Sequence, residues 1–156
     1  MSTHDLRWWW GLAALLPLAL LFARADPAED GLPTATLRLG DHRLAVEIPV
    51  EELDLHRGLM YRENLYDDHG MLFVWPDAGE RGMWMLNTSI PLDVAFIDEQ
   101  YVITNIERME PHTTEMHHAA RPARYALEVN AGWFERHGIE AGDRIPDLER
   151  VLEGIE

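Results

Sequence analysis

The chain has 156 residues, 47% of them hydrophobic, and a formal charge of −15. That length suits one compact domain, and that charge makes nucleic acid and anionic membrane surfaces poor partners. All 13 basic residues are arginine and cysteine is absent, which excludes lysine Schiff bases, thiol nucleophiles, thiolate metal sites, disulfides and a lipid anchor on cysteine.

Residues 1–25 read as a targeting segment. Arg7 gives a positive start, and Trp8 to Phe22 form an apolar run of fifteen residues, short of the ~20 that a spanning helix needs. In "ARAD", Ala23 and Ala25 occupy the small-residue positions before a cleavage point, so a secretory signal peptide cut after Ala25 is expected. Cleavage removes Arg7 and Arg24 from the 13 basic residues and Asp5 from the 28 acidic ones, leaving 11 against 27 and a charge of −16. The mature chain is then expected to be periplasmic or secreted, without membrane insertion. "DPAEDGLP" (26–33) reads as a linker, and a single domain is expected over 34–156.

"TATLRLGDHRLAVEIPV" predicts a hairpin around Gly40-Asp41, with Leu44, Val46, Ile48 and Val50 on one face. "EELDLHRGLM" has helical composition, acidic at its start and with Gly58 near its end. "GMLFVW" predicts a buried strand stopped by Pro76, and "PDAGERG" a turn into "MWML". "SIPLDVAFID" and "YVITNIER" pair around Asp98-Glu99-Gln100. "MEPHTTEMHHAARP" lacks a period and lies between Pro111 and Pro122, so a loop is expected. "ARYALEVN" is a further strand, "AGWFERHGI" a helical turn ending at Gly138, and "AGDRI" a turn into a short last strand. Leu148, Val151, Leu152 and Ile155 fall at helical spacing, predicting a final docked helix. Short strands at this spacing, with brief helices, predict a mainly β fold: a small antiparallel sandwich, jelly-roll-like, or a barrel.

Several segments taken together resemble a known family. "HRGLMYRENLYDDHGMLFVW", "MWMLNTSIPLDVAFID", "ARYALEVNAG" and "GIEAGDRI" are similar, in order and spacing, to the landmarks of the domain of unknown function 192 family, over Thr34 to Ile145. The resemblance implies a small β-sandwich, often exported, and supplies no reaction, because no activity is established for the family. Two positions depart from it: Leu86 stands where members usually have lysine, and Asp54-Leu55 where they usually have Glu-Arg.

The polar residues of "NTSIPLD" offer the first candidate chemistry. On a strand over 89–98, Asp93 shares a face with Pro91, Ala95 and Ile97, where a carboxylate needs backbone N–H donors or an arginine such as Arg62. Asn87 and Thr88 lie between strands, where both side chains can bond nearby backbone and Asn tolerates unusual angles. Glu128 alternates away from Tyr125, Leu127 and Val129, so a carboxylate pair with Asp93 is one reading, suited to hydrolysis. Arg62 could form a buried bidentate pair with Asp93 or Glu128, and Trp84 could line a groove for a sugar or peptide. No Gly-x-Ser-x-Gly elbow and no phosphate-binding loop is present.

The expected role is therefore a binding or accessory module more than an enzyme, with Arg62, Trp84, Asn87, Thr88, Asp93 and Glu128 around a small polar ligand or an envelope protein partner, and no cofactor. Two alternatives stand beside it. One is the Asp93–Glu128 hydrolase. The other is a copper module built from Met83, Met85, Met116, His112, His117 and His118, since thioether and imidazole are soft-metal donors.

Overall fold

The computed structural model describes residues 31–154. The expected signal peptide, and residues 26–30 of the expected linker, lie outside these described residues. The elements in chain order are β1 Thr34–Leu39, β2 His42–Glu47, α1 Glu52–Arg57, β3 His69–Gly79, β4 Gly82–Met83, β5 Leu92–Ile97, β6 Ile103–Met109, β7 His117–His118, β8 Ala123–Asn130, α2 Trp133–Arg136 and α3 Asp147–Glu153.

The fold is mainly β with short helices, as the strand spacing predicts. Six strands form one sheet in the order β1-β2-β3-β8-β5-β6, while β4 and β7 form a separate ribbon, and no barrel closes among the described residues. One pairing departs from the expected antiparallel pattern: β2 and β3 run parallel, with Val46 opposite Gly70. A tight turn cannot join parallel neighbours. The chain crosses over through α1 and residues 58–68 instead, and that crossover becomes one wall of the candidate site.

The central strands carry apolar side chains on both faces because both faces are covered. On one face, Ala95 and Ile97 of β5 and Tyr125, Leu127 and Val129 of β8 pack with the β1–β2 hairpin, Trp133 and α3. On the other, Leu92, Val94 and Phe96 pack with Met71, Phe73, Ala126 and Met85. Leu148 and Val151 of α3 are 0% and 2% exposed, and burial of each such side chain contributes about 1.5–3 kcal/mol, enough to dock a helix of two turns.

Local expectations are corrected at three places. β3 does not stop at Pro76 but runs to Gly79, with a register shift between Val74 and Gly79. That irregularity absorbs the missing N–H of proline. Val50 is exposed, because β2 ends at Glu47 before the alternation is complete. The expected loop after β6 contains β7, whose two histidines pair with β4.

Candidate functional site

Glu128 is the side chain around which a site can be built. It lies in the middle of β8, opposite Met71 on β3 and Val94 on β5, so it points into the second core. There it is 4% exposed, and no hydrogen bond reaches its carboxyl among the described residues. Burial alone pushes this carboxyl up to about 8. At neutral pH it is therefore a carboxylic acid, able to donate one hydrogen bond and accept others.

The carboxyl lines a cavity of about 150 Å³ whose other walls include Leu59, Phe73, Trp75, Met83, Trp84 and Thr88. Phe73 and Trp75 project from β3 on the same side, stacked at 6.2 Å and 16°, and the Arg81 guanidinium lies 4.8 Å over the Trp75 ring. The last turn of α1 adds His56, Arg57 and Gly58. Gly58 has φ 51 and closes against the ring of Phe73, which lies 3.2 Å from where a Cβ would be. Gly70 faces the opposite core, where a Cβ would lie 2.5 Å from the Glu128 carbonyl oxygen and 3.1 Å from Val129 Cγ1. Only glycine lets β3 approach β8 so closely at this point.

Two non-glycine residues with positive φ, Tyr61 (65°) and Asn87 (55°), hold the crossover to the β4–β5 connection. The Tyr61 N–H donates to the Asn87 carbonyl at 2.9 Å, and Asn87 Nδ2 donates to the Tyr61 hydroxyl at 2.8 Å. The Thr88 N–H donates to the Met85 carbonyl at 3.1 Å, and the Thr88 carbonyl accepts from the His112 N–H at 3.0 Å. Left-handed backbone at such residues costs about 1–2 kcal/mol each, and the reciprocal bonds offset it. The outcome is a braced rim beside a preformed cavity.

The six expected binding residues divide. Trp84, Thr88 and Glu128 meet at the cavity, while Asn87 braces the connection beside it and its side chain is engaged by Tyr61. Asp93 lies on the other face of the sheet, where Arg108 Nε and Nη2 donate to it at 2.9 and 3.2 Å and the Gly132 N–H at 2.7 Å. Its arginine is thus Arg108, its opposite neighbour on β6, and not Arg62. The Asp93 hydrogen bond is also the largest influence holding the Arg108 guanidinium above its usual range. Arg62 forms a buried bidentate pair with Glu47, at 2.6 and 2.7 Å, and not with Asp93 or Glu128. The Asp93–Glu128 hydrolase therefore has no geometry: its two carboxyls project from opposite faces of the sheet.

The soft-donor residues also divide. Met85 is 0% exposed in the core and leaves the set. Met83 lines the Glu128 cavity and faces His117 in the β4–β7 register. His112 is exposed on the loop after β6, whereas Met116 and His118 converge at Gly82. Sequence reasoning missed Phe73 and Trp75. The spacing of Phe73 and Trp75 at i and i+2 is a signal that they share a face, but which strand that face meets is not written locally.

Comparison with known proteins gives the chain its relatives. Residues 35–146 match the family DUF192, described as uncharacterized ACR. No curated protein matches. A crystal structure from Sinorhizobium meliloti 1021, described as that of a candidate transcription regulator, is 39% identical, with a TM-score of 0.65 over 70% of this chain and 88% of that one. A protein of unknown function from Novosphingobium aromaticivorans DSM 12444 is 32% identical, with a TM-score of 0.69 over 78% of this chain and 92% of that one. The match spans the crossover, the strands that floor the cavity and the connection that braces its rim; the chain belongs to the domain of unknown function 192 family.

Proposed function

We propose that this protein is an exported binding or accessory module whose Glu128 cavity takes a small, neutral, polar ligand. The observation that carries the reading is a single one: a carboxyl 4% exposed, without a hydrogen-bond partner among the described residues, on the wall of a preformed cavity. The carboxyl opens onto the cavity and is not sealed in the core, so a ligand that enters can meet it with matching donors and acceptors. The neutral carboxyl offers a donor and an acceptor side by side, the complement of an amide or of a pair of hydroxyls. Aromatic walls suit the apolar face of a sugar ring or a short side chain.

A saccharide end group or a peptide fragment of the cell envelope is the ligand class that fits. The signal-peptide reading of residues 1–25 supplies the compartment, and the acidic surface disfavours nucleic acid. A cavity lining that holds His56 and one carboxyl, with no second carboxyl beside it, favours binding over catalysis by a carboxylate pair.

The test is a thermal-shift screen of the chain against envelope saccharides and dipeptides, run beside Glu128→Leu. A ligand at 100 times its Kd stabilises by about 2.7 kcal/mol. The reading expects at least one class to raise the wild-type midpoint and to leave Glu128→Leu unmoved. Equal shifts in both proteins, or none in either, would count against it.

A further inference from the structure

The β4–β7 ribbon brings a thioether and an imidazole together over a glycine. A Cβ at Gly82 would lie 2.8 Å from Met116 Sδ and 3.2 Å from His118 Nδ1. Both donor atoms therefore surround one point, and since those two distances add to 6.0 Å they can be no farther apart than that. Metal–sulfur and metal–nitrogen bonds of about 2.3 and 2.0 Å span at most about 4.3 Å between donors, a separation that the exposed Met116 thioether reaches by rotation of its flexible side chain.

Gly82 lacks the positive φ that marks six other glycines of the chain, so its backbone does not demand glycine. The space a Cβ would take there is occupied by Met116 and His118. Met116 is 43% exposed, an unusual setting for a residue that ordinarily fills cores, and His118 is exposed beside it. Neither donor atom is engaged in a hydrogen bond among the described residues.

The backbone beneath them is fixed. Gly82 pairs with His118 across the ribbon. The Ala119 N–H donates to the Arg81 carbonyl at 2.9 Å, Asn105 Nδ2 donates to the His118 carbonyl at 3.0 Å, and the Ala120 N–H donates to Asn105 Oδ1 at 2.9 Å. The donors thus sit on a rigid frame that would need little reorganisation to bind. The formal charge of −15 favours the approach of any cation.

We infer that Met116 Sδ and His118 Nδ1 form a binding site for a soft monovalent cation, Cu(I) or its analogue Ag(I). Thioether with imidazole is a soft donor pair, and without a carboxylate it is poorly matched to calcium, magnesium or manganese. Gly82 also lines the Glu128 cavity, but the donors Met116 and His118 do not, so the site does not rest on that reading.

The probe is Ag(I), titrated into the full chain carrying 13C-labelled methionine methyl groups, with Cu(I) competed against bicinchoninate under reducing conditions for affinity. One equivalent should shift the Met116 methyl and His118 ring signals. Met116→Leu and His118→Leu should each weaken binding at least tenfold, Gly82→Ala should weaken it by filling the space with a methyl group, and Met83→Leu should leave it unchanged. Both Leu replacements are at exposed positions, and an unchanged thermal midpoint would show that they fold. Undiminished affinity in either of them, shifts at Met83 and His117 in place of Met116 and His118, or equal affinity for Zn(II) would overturn the assignment.

Discussion

Replacing Glu128 by glutamine isolates the energetic consequence of the buried acid. In the folded chain the carboxyl holds its proton up to about 8, against an ordinary value of 4.5. Between those values the folded state binds one more proton than the unfolded state, so stability falls as pH rises. The contribution is fully present below pH 4.5 and is lost as pH passes through about 8. At about 1.4 kcal/mol per pH unit, an interval of about 3.5 units corresponds to at most about 5 kcal/mol. Glutamine keeps the shape of the protonated acid and does not titrate. Urea unfolding of both proteins at pH 5, 6, 7 and 8 should give a wild-type-minus-variant difference that declines by more than 2 kcal/mol over this range, on the order of the linkage estimate. All other side chains are common to both proteins, so the difference isolates residue 128. Parallel profiles, within about 0.5 kcal/mol, a typical limit for such comparisons, would refute the burial argument.

Further outcomes follow from the same geometry. Gly70→Ala places a methyl group 2.5 Å from the Glu128 carbonyl oxygen, against Val129 and Leu44 of the opposite core, and should cost about 1–3 kcal/mol by overpacking, read as a lower urea midpoint. Asp93→Asn exchanges one acceptor oxygen for an amide facing Arg108 and the Gly132 N–H, and should cost about 1–3 kcal/mol while leaving ligand affinity at the Glu128 cavity within twofold. Mass spectrometry of the chain recovered from the cell envelope should give a mature N-terminus at Asp26, and an intact Met1 would contradict the signal-peptide reading.

How much the sequence revealed depended on the range of each interaction. Alternation in "LDVAFI" and "ARYALEV" correctly separates the two faces, because side-chain parity is a local property. The parallel β2–β3 pair was hidden because it depends on a crossover of more than twenty residues, whose path is set by packing. Arg108 was hidden as the partner of Asp93 by two departures from a tight hairpin. Strands closing on Asp98 to Gln100 would set Asp93 opposite Asn105; they close instead with Ile97 opposite Ile103, which moves the partner to Glu107, and the register shift between Phe96 and Ile97 moves it one further, to Arg108. At the site, Trp84, Thr88 and Glu128 were legible as polar or aromatic interruptions of apolar runs. Their separation from Asp93 required knowing that Val94 and not Asp93 shares the face of Glu128, which is relative register and not parity alone.

The central claim, that the Glu128 cavity binds a small neutral polar ligand, is tested most directly by nuclear magnetic resonance titration with N-acetylglucosamine and with a neutral capped dipeptide. The Glu128 carboxyl carbon and the indole N–H signals of Trp75 and Trp84 report on the cavity, and Trp133, whose indole N–H donates to Asp68 at 3.1 Å in the opposite core, serves as the internal reference. Saturable shifts of the first three by one of the two ligands, with Trp133 unmoved, are the predicted result; cavity signals that stay unmoved by both ligands, or that move only together with Trp133, would contradict it.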